Sequence, residues 1–346
     1  MSDDTDSVEL DAAVGHGAPV TSTNVRTRLY RDGHVELEDF PIVDVSEYVG
    51  QPDTFVWVDL LAPDVADLSV IAQELGLHRL AVDDALSTRQ RPKLDRYSTH
   101  EFLNMYAVRL DQATGDLQQS ELSAFITPSA LVTVRKDDSL DIDAIVARWD
   151  TSADLAQYGV GFLLYGLIDY IVDGHFQAVQ QLDEEIEALE DLLFSEGTRD
   201  ADMQRRSFAL RKSLVVLRRV VLPMREVVNT LMRRDIHIVN AEMTPYFQDV
   251  YDHVLRATEW TESLRDLVTT ILETNLTLQG NRLNVITKKV TSWAAIIAVP
   301  TAITGWYGQN LPYPGFASTS GLITSAALIA AISTGLYVTF RRKDWL

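Results

Sequence analysis

"TAITGWYGQNLPYPGF", residues 301–316, joins two uncharged segments near the end of the chain. The first segment is "VTSWAAIIAVPTAITGWYG" (290–308) and the second is "TSGLITSAALIAAISTGLYVTF" (319–340). Gly and Pro between two apolar runs predict a turn, so the pattern indicates a helical hairpin with residues 309–318 as its loop. The second segment has about the 20 residues that a hydrocarbon core of roughly 30 Å requires. The first has Thr and Ser dispersed through it, which suits a helix lined by protein or water better than one surrounded by lipid.

Basic residues flank this hairpin and predict its orientation in a membrane. Lys288 and Lys289 precede the first segment, Arg341, Arg342 and Lys343 follow the second, and the loop between them carries no charge. Because positive residues stay in the cytoplasm, we expect a multi-pass cell-membrane protein with an extracellular loop at 309–318 and a basic cytoplasmic tail at 341–346. Both termini would then be cytoplasmic. A buried hairpin of a soluble protein and a simple membrane anchor remain open alternatives.

The composition excludes several classes of function. Thirty basic residues against fifty acidic ones give a net charge of −20, which argues against nucleic-acid binding because phosphate contacts need clustered Lys and Arg. There is no cysteine, so disulfides, thiolate catalysis and Cys-type zinc sites are excluded. The seven histidines are scattered, and the sequence has no nucleophile motif, phosphate loop or metal triad. We therefore expect neither an enzyme nor an organic cofactor.

The N-terminal half predicts a mixed α/β domain. Residues 1–22 form an acidic stretch that we expect to be disordered, and it lacks the basic start and apolar core of a signal peptide. In the α/β domain, residues 23–150, the segments 54–61, 101–111 and 122–136 are rich in β-branched and aromatic residues and predict strands. Residues 63–77 open with Pro and carry apolar residues at helical spacing, which predicts a helix.

The central and C-terminal parts predict long helices. Within residues 151–243, an acidic helix over 161–194 and a basic helix over about 201–233 predict an antiparallel hairpin. Its charged faces either complement each other or are simply solvated. A third helix opens at Thr244-Pro245, and no strong stop signal precedes Gly308. At about 1.5 Å per residue, a helix over 244–308 would be close to 100 Å long, which predicts a stalk that continues into the first membrane span at 290–308.

Several motifs resemble the CorA family of divalent-cation channels and transporters, in the family's order and across nearly the whole chain. "AVDDALSTRQRPKLDRY" (81–97) resembles the family segment with an acidic pair followed by Gln-Arg-Pro-Lys. "NRLNVITKK" (281–289) resembles its approach to the pore, and "YGQN" (307–310) stands where the family has Tyr-Gly-Met-Asn. The basic tail ending in "KDWL" is also typical. A single hairpin cannot enclose a pore, so transport requires several copies around an axis.

The resemblance implies an assembly and a set of pore residues. It implies a funnel-shaped homopentamer, with an α+β cytosolic domain, long helices and a two-span transmembrane α-helical hairpin. The first spans would line the pore, with an outer mouth, polar rings below it and constrictions. The mouth residues are Tyr307, Gly308, Gln309 and Asn310, the polar and small positions below are Gly305, Thr301 and Asn284, and the constrictions are Thr287, Val290 and Ala298. Thr287 stands where the family has an apolar gate.

The resemblance also implies a regulatory site and a transported ion. Asp84 and Glu273 match the acids that hold a divalent ion between neighbouring subunits, and ordinary surface acids are the alternative. The implied function is Mg²⁺ uptake driven by the membrane potential and gated by internal divalent ions, with Co²⁺ and Ni²⁺ as further candidates. Gln309 and the uncharged outer loop leave the metal open. A Zn²⁺ transporter of the same fold and a non-conducting membrane-anchored scaffold or sensor are the alternatives.

Overall fold

The computed structural model describes residues 24–111, 114–194, 200–233, 238–309, 312, 314–316 and 318–346. The acidic N-terminal stretch predicted to be disordered lies outside these residues. Contacts divide the chain into one compact unit that ends at Val268 and a second that begins at Thr269.

The first unit contains one seven-stranded sheet. Its spatial order is β2-β1-β3-β7-β6-β5-β4, and β3 and β7 pair in parallel while the other neighbours are antiparallel. The strands are β1 (Val25–Arg31), β2 (His34–Glu38), β3 (Thr54–Leu61), β4 (Lys93–Arg96), β5 (Glu101–Leu110), β6 (Leu117–Ile126) and β7 (Ala130–Arg135). The predicted strand over 122–136 is therefore two strands, because Thr127 forms a turn in which its Oγ1 accepts a hydrogen bond from the backbone N–H of Ala130 at 2.8 Å.

The central strand β3 shows why the sheet is covered on both faces. Its alternate side chains enter two different cores: Phe55 and Trp57 on one face, Val56 and Val58 on the other. A strand buried on both faces is expected to be almost continuously apolar, as "TFVWVDLL" is. The exception is Asp59, whose side chain is 1% exposed and bonds Nη2 of Arg135 at 2.7 Å. Removing one partner of such a buried pair typically costs about 3–5 kcal/mol, because the other charge is left uncompensated.

Eight α-helices complete the described chain. Four short ones are α1 (Val45–Tyr48), α2 (Val65–Leu75), α3 (Arg79–Leu86) and α4 (Ile142–Thr151), and 3₁₀ turns cover Ile42–Asp44 and Ala153–Tyr158. Four long ones follow: α5 (Val160–Phe194), α6 (Asp200–Leu231), α7 (Thr244–Tyr307) and α8 (Thr319–Arg342). Helix α2 has a full capping box, in which Asp64 and Asp67 each accept the other's backbone N–H, and it ends at Gly76 in a left-handed conformation.

The charges of α5 and α6 are solvated rather than paired with each other. In the described part of the chain, the six acids on α5 from Asp183 to Asp191 form no ion pair with α6. Basic residues of α6 instead pair elsewhere: Lys212 contacts Asp116 at 2.9 Å, and Arg218 contacts Glu262 on α7. The complementary-face interpretation is therefore wrong for these residues, as expected when exposed pairs contribute little.

Candidate functional site

Six of the residues expected to line a pore lie on one face of α7, whereas Tyr307, expected at the mouth, lies on the opposite side of the helix. At about 100° per residue, Asn284, Thr287, Val290, Ala298, Thr301 and Gly305 fall within an arc of roughly 120°. All six are exposed in the single chain, Val290 by 63%, and none is ionisable. We call these six residues the uncharged face.

The opposite face of α7 is the covered one. Ser292 is buried, and Ile296, Val299, Ile303 and Tyr307 are partly buried, all on the side of the helix away from the uncharged face. Over residues 292–307 one side of the helix is thus packed within the chain and the uncharged face is not, whereas residues 281–291 are exposed all round in a single copy.

Polar groups on this stretch of α7 have defined partners. Thr301 Oγ1 donates to the carbonyl oxygen of Ile297 at 3.2 Å, and Thr304 Oγ1 donates to that of Pro300 at 2.8 Å. With its proton used by the backbone, the Thr301 hydroxyl oxygen is left as an acceptor, which is the group that a hydrated cation requires. The helix runs through Pro300 and ends at Tyr307, so Pro300 does not end it.

The predicted mouth begins where α7 ends. The backbone N–H of Gly308 donates to Thr304 at 2.8 Å, and that of Gln309 donates to Trp306 at 3.3 Å. A Cβ at Gly308 would lie only 3.0 Å from the Thr304 carbonyl oxygen, so the tight end of the helix favours glycine here. At Gly305, by contrast, a Cβ would meet nothing within 4 Å. Asn310 lies outside the described residues.

Helix α8 is the apolar helix of the second unit. Among the described residues it is the one helix long and apolar enough to cross a membrane, with a mean hydropathy of 1.7 and 6% of that stretch buried. The predicted first span at 290–308 does not reach that hydropathy, since Thr, Ser and Gly occupy much of it. Gly315 and Gly321 bring the loop close to the start of α8: a Cβ at Gly321 would lie 2.3 Å from the Gly315 carbonyl oxygen.

The two predicted regulatory acids lie in different compact units. Asp84, on α3 of the first unit, accepts from Nζ of Lys93 at 2.6 Å, and the same Nζ contacts Asp95 at 2.5 Å. Burial lowers the pKa of Lys93, but the hydrogen bonds to Asp84 and Asp95 outweigh it, so the pKa of Lys93 is raised. Glu273, in the second unit, is exposed, and its carboxylate has no ion-pair partner in the described part of the chain.

A further cluster of metal-ligating side chains was not predicted from the sequence. Asp169 and Asp173 on α5 and His253 on α7 place ligand atoms within 4.8 Å of one another. Arg148 already donates to Asp169 at 2.5 Å and to Asp173 at 2.8 Å, so its guanidinium compensates both carboxylates. Burial raises the pKa of Asp169, the neighbouring Asp173 raises it further, and Arg148 opposes both. This arrangement is an arginine–carboxylate pair rather than an open metal site.

Comparison with known proteins identifies the family. The sequence model described as CorA-like Mg2+ transporter protein matches residues 52–342, most of the chain. This chain belongs to that family. As a CorA-family protein it is a membrane transporter of divalent cations and not an enzyme.

Individual relatives agree with the CorA assignment. The cobalt/magnesium transport protein CorA of Thermotoga maritima is 28% identical over 316 residues, which cover 90% of this chain and 90% of that protein. The zinc transport protein ZntB of Pectobacterium atrosepticum is 24% identical over 288 residues, covering 81% of this chain and 86% of ZntB.

A solved structure supports the fold. The complete structure of the CorA magnesium transporter from Methanocaldococcus jannaschii superposes with a TM-score of 0.75 at 22% identity, covering 94% of this chain and all of that one. The predicted fold class is thereby confirmed: a mixed α/β domain, then long helices, then an apolar C-terminal helix.

Proposed function

We propose that the protein is a homopentameric, channel-type transporter through which the membrane potential drives Mg²⁺ into the cell, with Co²⁺ and Ni²⁺ as further candidate ions. The observation that carries this proposal is the uncharged face of α7, which is exposed in one chain and leads to Gly308-Gln309. Copies of this face around a shared axis would enclose a path without any ionisable side chain. The number of five copies comes from the resemblance to the CorA family.

The chemistry of the uncharged face suits a hydrated divalent ion. Mg²⁺ demands octahedral geometry and gives up water reluctantly, so neutral oxygens that hydrogen-bond its hydration shell can pass it without stripping it. In this proposal Asn310, Thr301 and Asn284 supply such oxygens, and Val290 and Ala298 supply narrower apolar levels. Neutral groups also bind weakly enough to release the ion, which conduction requires. The membrane potential supplies about 2.3 kcal/mol per elementary charge per 100 mV, and twice that for a divalent ion.

Orientation follows from the flanking charges. Lys288 and Lys289 at one end and Arg341 to Lys343 at the other are exposed, while the described residues of the loop between Tyr307 and Thr319 are uncharged. We infer two spans, at 290–308 and 319–340, with both termini in the cytoplasm.

A flux measurement tests conduction. The full-length protein in liposomes should take up Mg²⁺ when a potassium diffusion potential makes the interior negative. The Asn310→Ala variant should lower this flux about tenfold or more, the effect of roughly 1.4 kcal/mol lost at the mouth. Thr334→Ala, at an exposed polar position on α8, is the matched control and should conduct like wild type.

Two outcomes of that assay would change the assignment. Absence of potential-driven flux, or wild-type flux in Asn310→Ala, would contradict conduction through this mouth and favour a non-conducting scaffold or sensor. Flux of Zn²⁺ in preference to Mg²⁺, with a dependence on a proton gradient, would favour the zinc alternative. The similarity to ZntB is the observation that keeps this second candidate in consideration.

For regulation, we infer a divalent ion held between Asp84 of one subunit and Glu273 of its neighbour. Two carboxylates from different chains repel unless a cation lies between them, so internal Mg²⁺ would favour the closed assembly. Lys93 holds Asp84 in the single chain, but it also contacts Asp95 and can stay with that carboxylate when Asp84 binds the ion.

Internal Mg²⁺ should therefore inhibit wild-type flux progressively. In the double variant Asp84→Asn, Glu273→Gln the flux should no longer depend on internal Mg²⁺ over the concentrations that close the wild type, because the variant loses the repulsion and the bridging ion together. Asp83→Asn, at the exposed neighbouring acid, should retain the wild-type inhibition curve. Identical inhibition of the double variant and the wild type by internal Mg²⁺ would contradict a regulatory site at Asp84 and Glu273.

A further inference from the structure

A basic cavity lies in the first unit, far along the chain from the uncharged face. It has a volume of about 750 Å³ and lies between the loop after α3, strands β5 and β6 of the sheet, and helix α6. The lining contains only two acids, Glu121 and Asp137, but five cations: Arg89, Arg91, Lys136, Arg218 and Arg219. A concentration of positive charge is unexpected in a chain with a net charge of −20.

The loop that carries two of these cations is fixed in place. Arg89 has a φ of 67°, a left-handed conformation that is uncommon for a residue with a side chain. The buried carboxylate of Glu121 accepts the backbone N–H of Arg89 at 2.8 Å and that of Gln90 at 3.1 Å. Tyr106 donates its hydroxyl hydrogen to the Gln90 carbonyl oxygen. The loop is thus held in position before any ligand arrives.

These bonds also keep Glu121, one of the two acids of the cavity, from pairing with an arginine side chain. Both Glu121 oxygens are used by backbone donors, whereas Arg89, Arg91 and Arg219 are exposed and form no ion pair in the described part of the chain. The other two cations are partly occupied, since Arg218 is shared with Glu262 and Lys136 donates to the Ala85 carbonyl oxygen. Three guanidinium groups therefore remain available to an anion.

The cavity also has an apolar side. Val216, Val220 and Pro223 of α6 line it, together with Pro92 at the end of the loop. Its volume is within the range of roughly 300–1,000 Å³ that small-molecule sites occupy. Arginine is the residue best suited to phosphate, because its planar donors engage two oxygens at once.

We propose that this cavity binds a phosphate-bearing organic anion of the nucleoside polyphosphate class. The phosphates lie against Arg89, Arg91 and Arg219, and the organic part lies against the apolar side formed by α6. The site is separate from the proposed ion path and its binding is measured without any flux, so its failure and the failure of the conduction proposal are distinguishable.

Binding of ATP to the full-length solubilised protein, measured by calorimetry in EDTA, tests the proposal. Wild type should bind ATP more tightly than tripolyphosphate, which lacks the organic part, and more tightly than adenosine, which lacks the phosphates. Arg91→Gln and Arg219→Gln should each weaken ATP binding about tenfold or more, the loss expected from one charge-assisted hydrogen bond. Arg211→Gln, at an exposed arginine of the same helix that does not line the cavity, should bind like wild type.

Other results would overturn the proposal. One is ATP binding that is unaffected by Arg91→Gln and Arg219→Gln. Another is tripolyphosphate binding as tightly as ATP, since the apolar side would then have no role. A third is the absence of ATP binding to wild type. If the assembly also dissociates in the Arg91→Glu variant, the cavity instead receives an acidic segment of a second copy.

Discussion

His175 lies on α5 with its imidazole fully buried against the sheet. Its Nε2 lies 2.7 Å from the carbonyl oxygen of Tyr106, and since a carbonyl only accepts, Nε2 carries the proton. Its Nδ1 is buried and has no partner in the described structure. Protonating Nδ1 would bury an uncompensated charge, and burial accordingly lowers the pKa of His175 to about 4 from its ordinary value of 6.5.

This lowered pKa predicts a loss of stability in acid. Because the unfolded chain takes up the proton first, the stabilisation is complete above about pH 6.5 and is lost as the pH falls towards 4. The free energy of unfolding should fall by roughly 2–3 kcal/mol between pH 7.5 and 4.5 from this group. Urea denaturation of wild type and His175→Gln, followed by tryptophan fluorescence, should show their difference shrinking by that amount. His34→Gln, at an exposed histidine, is the control, and a constant difference between wild type and His175→Gln would contradict the assignment.

At this scale the sequence predicts residue types better than their partners. The acids at 84 and 273 and the polar positions of α7 can be proposed from motifs. The contact of Glu121 with the backbone of Arg89 requires β4, β5 and β6 to be side by side. Such partners are set by strand register, which local periodicity does not encode.

Helix packing depends on particular glycines of α5. A Cβ at Gly166 would lie 2.5 Å from Nε1 of Trp149, a buried side chain of α4 that donates to the Leu163 carbonyl oxygen at 3.1 Å. A Cβ at Gly174, on the same helix, would lie 3.7 Å from the nearest atom, the carbonyl oxygen of Val108, which is ordinary contact.

The two glycines should therefore respond in opposite directions to alanine. Gly166→Ala should lower the free energy of unfolding by about 1–3 kcal/mol, because the tryptophan ring must move in a packed core. Gly174→Ala should raise it by about 0.5–1 kcal/mol, the ordinary gain of alanine over glycine inside a helix. Urea denaturation of both variants measures the free energy of unfolding. Equal effects would contradict the claim that the contact of α4 with Gly166 leaves no room for a Cβ.

Helices and strands could largely be predicted where a long stretch keeps one hydrophobic periodicity or is rich in residues typical of one type of element. Strand β3 has the predicted bounds of 54–61, α5 begins at residue 160 against a predicted 161, and α7 begins at Thr244. The prediction of one strand over 122–136 was wrong. A turn of only three residues, which includes Thr127 and Pro128, separates β6 from β7 within a run of β-forming residues. Hydropathy also distinguishes the two predicted spans: α8 is long and apolar enough to cross a membrane, whereas the C-terminal part of α7 has a lower mean hydropathy.

For the whole molecule, family membership and fold rest on matches that cover most of the chain. The number of copies is a property of the surface between chains, and the periodicity of a single chain does not encode it. What one chain does contribute is a helix with a packed side and an exposed uncharged side. We propose that this exposed side surrounds the ion path.

The most direct test is the accessibility of single cysteines along α7, since the native chain has none that could react. Ala298→Cys, Thr301→Cys and Gly305→Cys lie on the uncharged face, while Ile296→Cys and Ile303→Cys lie on the covered face of the same helix. A cationic, membrane-impermeant thiol reagent added outside should block Mg²⁺ flux through the first three variants and leave the other two and wild type conducting. Equal block at both sets, or block only at Ile296→Cys and Ile303→Cys, would contradict the claim that the uncharged face lines the path.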